Sequence, residues 1–310
     1  MTKLLVTGAS GLLGVNLALL AVERGYEVTG WTNSRTLTGV PFATATVDLL
    51  QYDQIPDLLD ALKPDLIINC AAIANVDVAA RDPKLAHAMN GVMPGVLADE
   101  ALRVGAKFVH ISTDAVFDGI RGEYSETDMP HPLNTYAFTK LEGEKAVQKA
   151  NPEAIIARVV FYGWSLTGRR SLAEFFYNHL EAEQPVPGYT DTFFTPLYVG
   201  HLADLLLRMA SKDLNGTWHV FGAELLSKYA FGVSLAQEFG FDETLVSPVL
   251  TPDGGEAIRR SLRLTMKTDK LTEALGEDMP TVNEGLAALH ADFDNGLRDR
   301  LCALGKRSEA

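Results

Sequence analysis

A tyrosine and a lysine four residues apart are the side chains of this sequence best suited to proton transfer. Tyr136 and Lys140 would share one face of a helix, because residues four apart lie one turn from each other. A phenol with a pKa of about 10 is a poor acid at neutral pH, and a neighbouring ammonium lowers that pKa. Thr113, at the end of an apolar strand, can bring a hydroxyl to the tyrosine. Together they predict a general acid and its two helpers; a buried tyrosine beside a surface lysine is the alternative.

A glycine-rich loop follows the first apolar run and opens the first amphipathic stretch. Gly8 permits a tight turn, Gly11 lets backbone amides approach a pyrophosphate, and Gly14 lets the helix pack on the strand. The helix N-terminus adds positive potential at the same point. The sequence therefore predicts a dinucleotide site, with a glycine-rich turn of an unrelated α/β protein as the alternative. The residues assigned to the loop are Gly8, Ser10, Gly11, Leu12, Leu13 and Gly14.

The residues after the second strand indicate which dinucleotide binds. An acid there accepts from the adenosine 2′-hydroxyl and selects NAD, but residues 28–35 contain no acid. Asn33, Ser34 and Arg35 can instead donate to a 2′-phosphate, which favours NADP(H) over NAD(H). A solvated loop charge is the alternative for Arg35. After the third strand come Asp48 and Leu49, where the carboxylate can accept from the adenine amino group or cap a helix.

Short apolar runs alternate with amphipathic stretches over the first half of the chain. This βαβα order predicts an α/β fold with a Rossmann-like, doubly wound parallel sheet. The proline and glycine of residues 185–188 predict a turn. The predicted strands are residues 4–6, 27–29, 45–47, 66–68, 108–111, 155–157 and 217–221, and the predicted helices are residues 11–24, 53–62, 83–104, 134–149, 171–182 and 199–211.

A smaller C-terminal α/β substrate domain is expected to be interleaved with the sheet domain. The pattern loosens after residue 163, and the run 217–221 is expected to return to the main sheet. We therefore predict an NADP-binding Rossmann domain of residues 1–163 plus about 195–222. The substrate-binding domain would comprise about 164–194 plus 223–310.

Composition and charge narrow the classes of partner. The chain has 310 residues, of which 47% are hydrophobic and 22% charged, ordinary values for a folded protein. A formal net charge of -13 repels nucleic acid and anionic membranes, so neither is expected as a partner. Glycines interrupt the apolar N-terminus too often for a signal peptide. Neither the two cysteines, Cys70 and Cys302, nor the seven histidines match a metal spacing, which favours a reduced cytoplasmic protein without a metal.

Taken as a set, these motifs resemble the extended short-chain dehydrogenases/reductases, and within them the dTDP-4-dehydrorhamnose reductase family. The resemblance is specific over the first half of the chain and looser over the second. The matching segments are Gly8, Gly11 and Gly14, residues 69–72 and 76–77, Asn90, residues 112–119, Tyr124, residues 134–136, Lys140 and residues 143–144, then Arg158, residues 162–163, Asp191, residues 195–196 and residues 216–219.

The resemblance implies an NADPH-dependent reductase of a nucleotide-activated 4-keto-6-deoxy sugar. Tyr136 would protonate the substrate carbonyl as NADPH delivers hydride, Lys140 would hold the nicotinamide ribose, and Thr113 would hydrogen-bond the carbonyl oxygen. Asn90 would relay protons through water, with a simple helix kink as an equal alternative, and a small core residue is the favoured interpretation of Cys70. The remaining implied contacts are Cys70, Ala71, Ala72 and Asn90 with cofactor, and Asp114, Val116, Tyr162 and Arg259 with substrate.

Two positions depart from the patterns of related proteins. Ala115 stands where similar nucleotide-sugar 4,6-dehydratases carry a glutamate used for elimination, and a methyl group cannot abstract a proton. The reductases usually have Tyr at that position and Gln at the position of Thr192, so the sugar itself stays open. An NAD-dependent nucleotide-sugar epimerase and a non-catalytic NADP-binding regulatory subunit are the alternatives. The oligomeric state is open too, with a homodimer as one candidate.

Overall fold

A parallel β-sheet forms the centre of the larger part of the molecule. The computed structural model describes residues 1–212, 214–252 and 261–305. Within them, seven strands join one sheet in the order β11-β6-β5-β4-β1-β2-β3, with every neighbouring pair parallel. This is the Rossmann order extended by one strand. The strands are β1 (Lys3–Thr7), β2 (Glu27–Thr32), β3 (Ala43–Thr46), β4 (Leu66–Asn69), β5 (Lys107–Thr113), β6 (Ile155–Val159) and β11 (Gly216–Val220).

Helices cover both faces of this sheet. Side chains alternate along a strand, so Leu4 and Val6 of β1 join one hydrophobic core and Leu5 joins the other. The helices that cover the sheet or connect its strands are α1 (Leu12–Glu23), α2 (Ile55–Leu62), α3 (Val76–Arg81), α4 (Pro83–Ala86), α5 (Met93–Arg103), α6 (Thr135–Ala150) and α8 (Val199–Ser211). Since α8 packs on α1 and β11 pairs with β6, the predicted return of the chain to the main sheet is confirmed.

The helix predicted over residues 83–104 is found as far as Arg103, but a π-helical segment, His87–Val92, separates α4 from α5. Pro94 has no N–H to bond the carbonyl of Asn90, the residue four positions earlier. A Cβ added to Gly143 of α6 would overlap that same carbonyl oxygen. The proline and the glycine therefore let α6 pack closely against the irregular turn.

A smaller α/β unit lies beyond β6. Its strands are short, and its helices α9 and α7 pack together, as do α9 and α11. The elements are β7 (Phe161–Tyr162), α7 (Leu172–Glu181), β8 (Val186–Tyr189), β9 (Phe193–Phe194), β10 (Leu197–Tyr198), β12 (Leu226–Ser227), α9 (Lys228–Phe239), β13 (Val246–Val249), β14 (Arg263–Leu264), α10 (Asp269–Leu275), α11 (Val282–Asp294) and α12 (Leu297–Gly305).

The turn predicted at residues 185–188 is wrong. Val186 begins β8, which pairs in parallel with β13, and the Val186 side chain is fully buried. Gly188 packs against Tyr229, where a Cβ would come within 2.8 Å of the Tyr229 backbone. A partner strand distant in sequence thus overrides the local turn preference of proline and glycine.

No helix in the described ranges combines the length and the apolar character that crossing a bilayer would require.

Candidate active site

The glycine loop lies where the sheet order reverses, between β1 and β4. At this point of an open α/β sheet a crevice forms at the carboxyl ends of the strands. Gly8 has φ +65°, and a Cβ there would lie 2.8 Å from the backbone of Ala71. A Cβ at Gly14 would overlap the carbonyl oxygen of Gly8. Both glycines thus allow close backbone approaches, as the sequence predicted.

The N-terminus of α1 points into this crevice with its amides available. Gly11 precedes the helix, and within the described chain no side chain caps it. First-turn amides without a side-chain partner, together with the helix dipole, favour an anion such as a pyrophosphate. Ser10 and Leu12 are partly exposed there, whereas Leu13 is buried. The loop fits the phosphate part of a dinucleotide.

The residues predicted to read the adenosine end follow β2 and β3, which are neighbours in the sheet. Asn33 and Ser34 are exposed and Arg35 is half-buried, so all three can reach a ligand. Asp48 is exposed, but its carboxylate already accepts from the Leu50 amide at 3.1 Å. Capping of this turn is therefore the better supported role for Asp48.

Tyr136 lies in the first turn of α6, next to the end of β5. Asn134 starts the helix by accepting a hydrogen bond from the Ala137 amide at 3.0 Å. Burial raises the pKa of Tyr136 to about 12, although a hydrogen bond with Thr113 opposes the shift and the Asp114 carboxylate adds to it. The phenol therefore stays protonated at neutral pH, which suits a proton donor.

Lys140 is buried one turn further along α6, and its ammonium group points at β5. Its Nζ donates to the Ile111 carbonyl at 2.7 Å and lies 3.3 Å from Nε2 of His110. Burial lowers the pKa of Lys140 to about 8, while Glu144 and Cys70 act in the opposite direction. Burial sets the direction of the Tyr136 shift in this structure, and the lowering of that pKa by Lys140 stays a prediction.

Thr113 ends β5 and is itself well anchored. Its hydroxyl donates to Asp114 Oδ1 at 3.0 Å and accepts from the Ala115 amide at 3.2 Å. The hydroxyl thereby caps a short 3-10 turn, Asp114–Val116, and faces the Tyr136 phenol. Thr113, Tyr136 and Lys140 are thus brought together from β5 and α6, as the sequence predicted.

Asn90 holds the loop that follows β4. Its Oδ1 accepts from the Ile73 amide at 2.8 Å and its Nδ2 donates to the Ile73 carbonyl at 3.1 Å. The same Nδ2 lies 3.3 Å from the Thr139 hydroxyl, and the side chain is fully buried. These bonds position the segment that contains Cys70, Ala71 and Ala72. Anchoring of this loop is the role that the contacts support.

The proposed substrate residues are not all in reach of the crevice. Val116 and Tyr162 are at most 1% exposed, so direct contact of either side chain with substrate is not available, and these two predictions are wrong. Val116 packs in a hydrophobic cluster with Phe117, and Tyr162 packs in an aromatic core beside β10. Neither cluster leaves space for a ligand. Arg259 lies outside the described residues.

Asp114 is the acidic residue among the proposed substrate residues. The side chain is buried, and burial raises the pKa of its carboxyl to about 6. Lys228, the first residue of α9 in the smaller unit, opposes that rise through its charge. The sequence analysis missed Lys228, because only the tertiary structure brings α9 to the end of β5.

The Rossmann sheet, the glycine loop and the paired tyrosine and lysine define an NAD(P)-dependent oxidoreductase of the short-chain dehydrogenase/reductase class. More narrowly, the chain belongs to the RmlD substrate binding domain family, which matches residues 1–295. The resemblance found in the sequence is confirmed by this match.

Relatives of known name cover most of the chain. A probable low-salt glycan biosynthesis reductase, Agl14 of Haloferax volcanii, is 34% identical over 94% of this chain and 98% of its own. A dTDP-4-dehydrorhamnose reductase of Aggregatibacter actinomycetemcomitans is 31% identical, covering 89% and 94%. The methionine adenosyltransferase 2 subunit beta of Mus musculus is also 31% identical, covering 80% and 75%.

The same family is found among solved structures. The dTDP-4-dehydrorhamnose reductase of Bacillus anthracis, crystallised in complex with NADP, has a TM-score of 0.83 and is 26% identical. The match covers 94% of this chain and 100% of that structure.

Proposed function

We propose that this protein is an NADPH-dependent reductase of a nucleotide-activated 4-keto-6-deoxy sugar, with Tyr136 as the proton donor. The observation that carries the proposal is the meeting of Tyr136 with Thr113 beside the crevice that the glycine loop forms. The reductase names of two relatives and the NADP in the Bacillus anthracis structure support it.

The cofactor would lie along the crevice, with its pyrophosphate on the amides of α1. Asn33, Ser34 and Arg35 would contact the 2′-phosphate, which favours NADP(H), and the loop anchored by Asn90 would line the nicotinamide end. When bound, NADPH supplies the hydride that reduces the keto carbon. Lys140 would hold the nicotinamide ribose from below.

Tyr136 would give its proton to the carbonyl oxygen as that oxygen becomes an alcohol. Thr113, whose hydroxyl donates to Asp114 in this structure, would turn that proton to the same oxygen and so stabilise the developing charge. The smaller unit, residues 164–194 and 223–310 in our proposed division, would bind the nucleotide sugar. Elimination is not expected, because Ala115 offers no base.

Consumption of NADPH with dTDP-4-keto-6-deoxy sugars tests the proposal. Tyr136→Phe should lower turnover by about 10²- to 10⁴-fold, the usual contribution of a general acid, while NADPH binding persists. Tyr162→Phe is a matched control, because its hydroxyl is buried and makes no hydrogen bond within the described residues. Full activity of Tyr136→Phe would refute the assignment of the proton donor.

A regulatory subunit is the second candidate function, favoured by the likeness to methionine adenosyltransferase 2 subunit beta. A stable complex with an unrelated enzyme, together with no turnover of any activated keto sugar, would support this candidate. An epimerase would instead copurify with tightly bound NAD. Homodimer formation and a cytoplasmic location stay predictions.

A further inference from the structure

A chain of four buried polar side chains crosses the sheet directly beneath the proposed nicotinamide site. The Thr7 hydroxyl donates to Asn69 Oδ1 at 2.6 Å, and Asn69 Nδ2 lies 3.1 Å from His110 Nδ1. The other ring nitrogen of His110, Nε2, lies 3.3 Å from Lys140 Nζ. All four side chains are at most 2% exposed, so water does not compete for these contacts.

The direction of each bond in this chain follows from Asn69. Its Oδ1 accepts from Thr7 and also from the Ala71 amide at 3.2 Å, which fixes the orientation of the side-chain amide. Nδ2 must then be the donor to His110 Nδ1. A neutral imidazole has one N–H, so the proton of His110 lies on Nε2 and points at Lys140.

This tautomer affects Lys140 in its two protonation states differently. An ammonium has only donors, so it faces the Nε2–H of His110 without forming a bond. A neutral amine accepts that N–H and still donates to the Ile111 carbonyl at 2.7 Å. The imidazole cannot relieve the conflict by taking a second proton, because burial and Lys140 hold the pKa of His110 well below its ordinary value.

The other charged and titratable groups around Lys140 act in the opposite direction. Glu144, on the same helix, and Cys70, after β4, raise the pKa of Lys140, whereas burial lowers it to about 8. Glu144 is already bonded to Arg158 at 2.8 Å and to the Ser112 hydroxyl at 2.5 Å. Its charge is therefore largely compensated elsewhere, which leaves burial and His110 to favour the neutral amine.

We infer that His110 is a positioning residue whose Nε2–H holds the Lys140 side chain in place and favours its neutral amine over its ammonium. The inference deepens the proposed function and rests on it. Lys140 is the residue proposed to hold the nicotinamide ribose, so its protonation state sets how many hydrogen bonds it can donate there. The neutral amine accepts the bond from His110, whereas the ammonium cannot.

The tautomer can be measured directly by NMR of protein with ¹⁵N-labelled histidine, without substrate. We expect His110 to carry its proton on Nε2. His219 is an internal control with the opposite expectation, since its Nε2 lies 3.4 Å from the donor Nη1 of Arg158 and its Nδ1 lies 3.3 Å from the Lys267 carbonyl. A proton on Nδ1 of His110, or a doubly protonated ring, would overturn the inference.

The second measurement is the titration of Lys140 in protein with ¹³C-labelled lysine. The wild-type midpoint should be about 8. His110→Gln can turn its carbonyl towards the ammonium, and this new hydrogen bond should raise the midpoint by roughly one to two pH units. His219→Gln should leave it unchanged. An unmoved midpoint in a folded His110→Gln protein overturns the inference, and the wild-type tautomer decides the matter if that variant does not fold.

Failure of this inference can be told apart from failure of the proposed function. Both NMR measurements are independent of turnover, so their success without any reductase activity refutes only the proposed function. Turnover with the wrong tautomer refutes only the role of His110. In an active enzyme, the pH profile of kcat should show a limb near 8 that moves upward in His110→Gln.

Discussion

Asp114→Asn should stabilise the protein at neutral pH. Asp114 is buried at the end of β5, and its carboxyl has a pKa raised to about 6 from the ordinary 3.8. A carboxylate that is harder to ionise in the folded chain than in the unfolded chain destabilises the fold wherever it is ionised. Asparagine keeps the shape and can still accept from Thr113, but it carries no charge.

The expected size of the effect follows from the pKa. The folded value lies roughly two pH units above the ordinary value, and each unit corresponds to about 1.36 kcal/mol, so Asp114→Asn should gain up to about 3 kcal/mol at pH 7. Well below the ordinary pKa of 3.8 the carboxyl is protonated in both the folded and the unfolded chain, and the gain should vanish. The gain grows as pH rises from the ordinary to the folded pKa and is nearly constant above the folded value.

Urea unfolding of wild type and variant, at pH 4 and pH 7, measures this difference. Asp118→Asn is a matched control with the opposite sign, because the Tyr124 hydroxyl lowers the pKa of Asp118 below its ordinary value. That variant should be no more stable than wild type at pH 7. The reasoning is refuted if Asp114→Asn is equally or less stable at pH 7, or if its gain is the same at both pH values.

Three further substitutions test other parts of the site. Gly14→Ala should weaken NADPH binding at least tenfold in a fluorescence titration and lower the free energy of unfolding by about 1–3 kcal/mol, because the new methyl group overlaps the Gly8 carbonyl. Wild-type affinity would contradict the loop geometry. Glu144→Gln breaks the buried ion pair with Arg158 and should lower the free energy of unfolding by about 3–5 kcal/mol, measured by thermal or urea unfolding. Glu142→Gln changes a more exposed pair with His87 and should lower it by less than about 1 kcal/mol. Equal losses would argue against the buried network. Asn90→Ala frees the loop after β4 and should lose about 1–3 kcal/mol together with cofactor affinity, and an unchanged NADPH affinity would show that the loop does not need this anchor.

Local patterns in the sequence predicted the architecture and the centre of the site. Buried parallel strands produce apolar runs, amphipathic helices separate them, and a helix pitch of 3.6 residues places Tyr136 and Lys140 on one face. Glycines at close backbone approaches mark the cofactor loop, and the end of β5 supplies Thr113. These features depend on neighbours in sequence, so the sequence alone determined them.

Only the tertiary structure decided properties that depend on distant partners or on burial. Pairing with β13 made a strand of the proline- and glycine-containing residues 185–188, and packing excluded Val116 and Tyr162 from the crevice. Desolvation, which depends on everything that covers a side chain, raised the pKa of Tyr136, opposite to the local expectation. His110 lies beside Asn69 of β4, and Asn69 accepts from Thr7 of β1; these residues are far apart in the chain, and no spacing in the sequence contains that information.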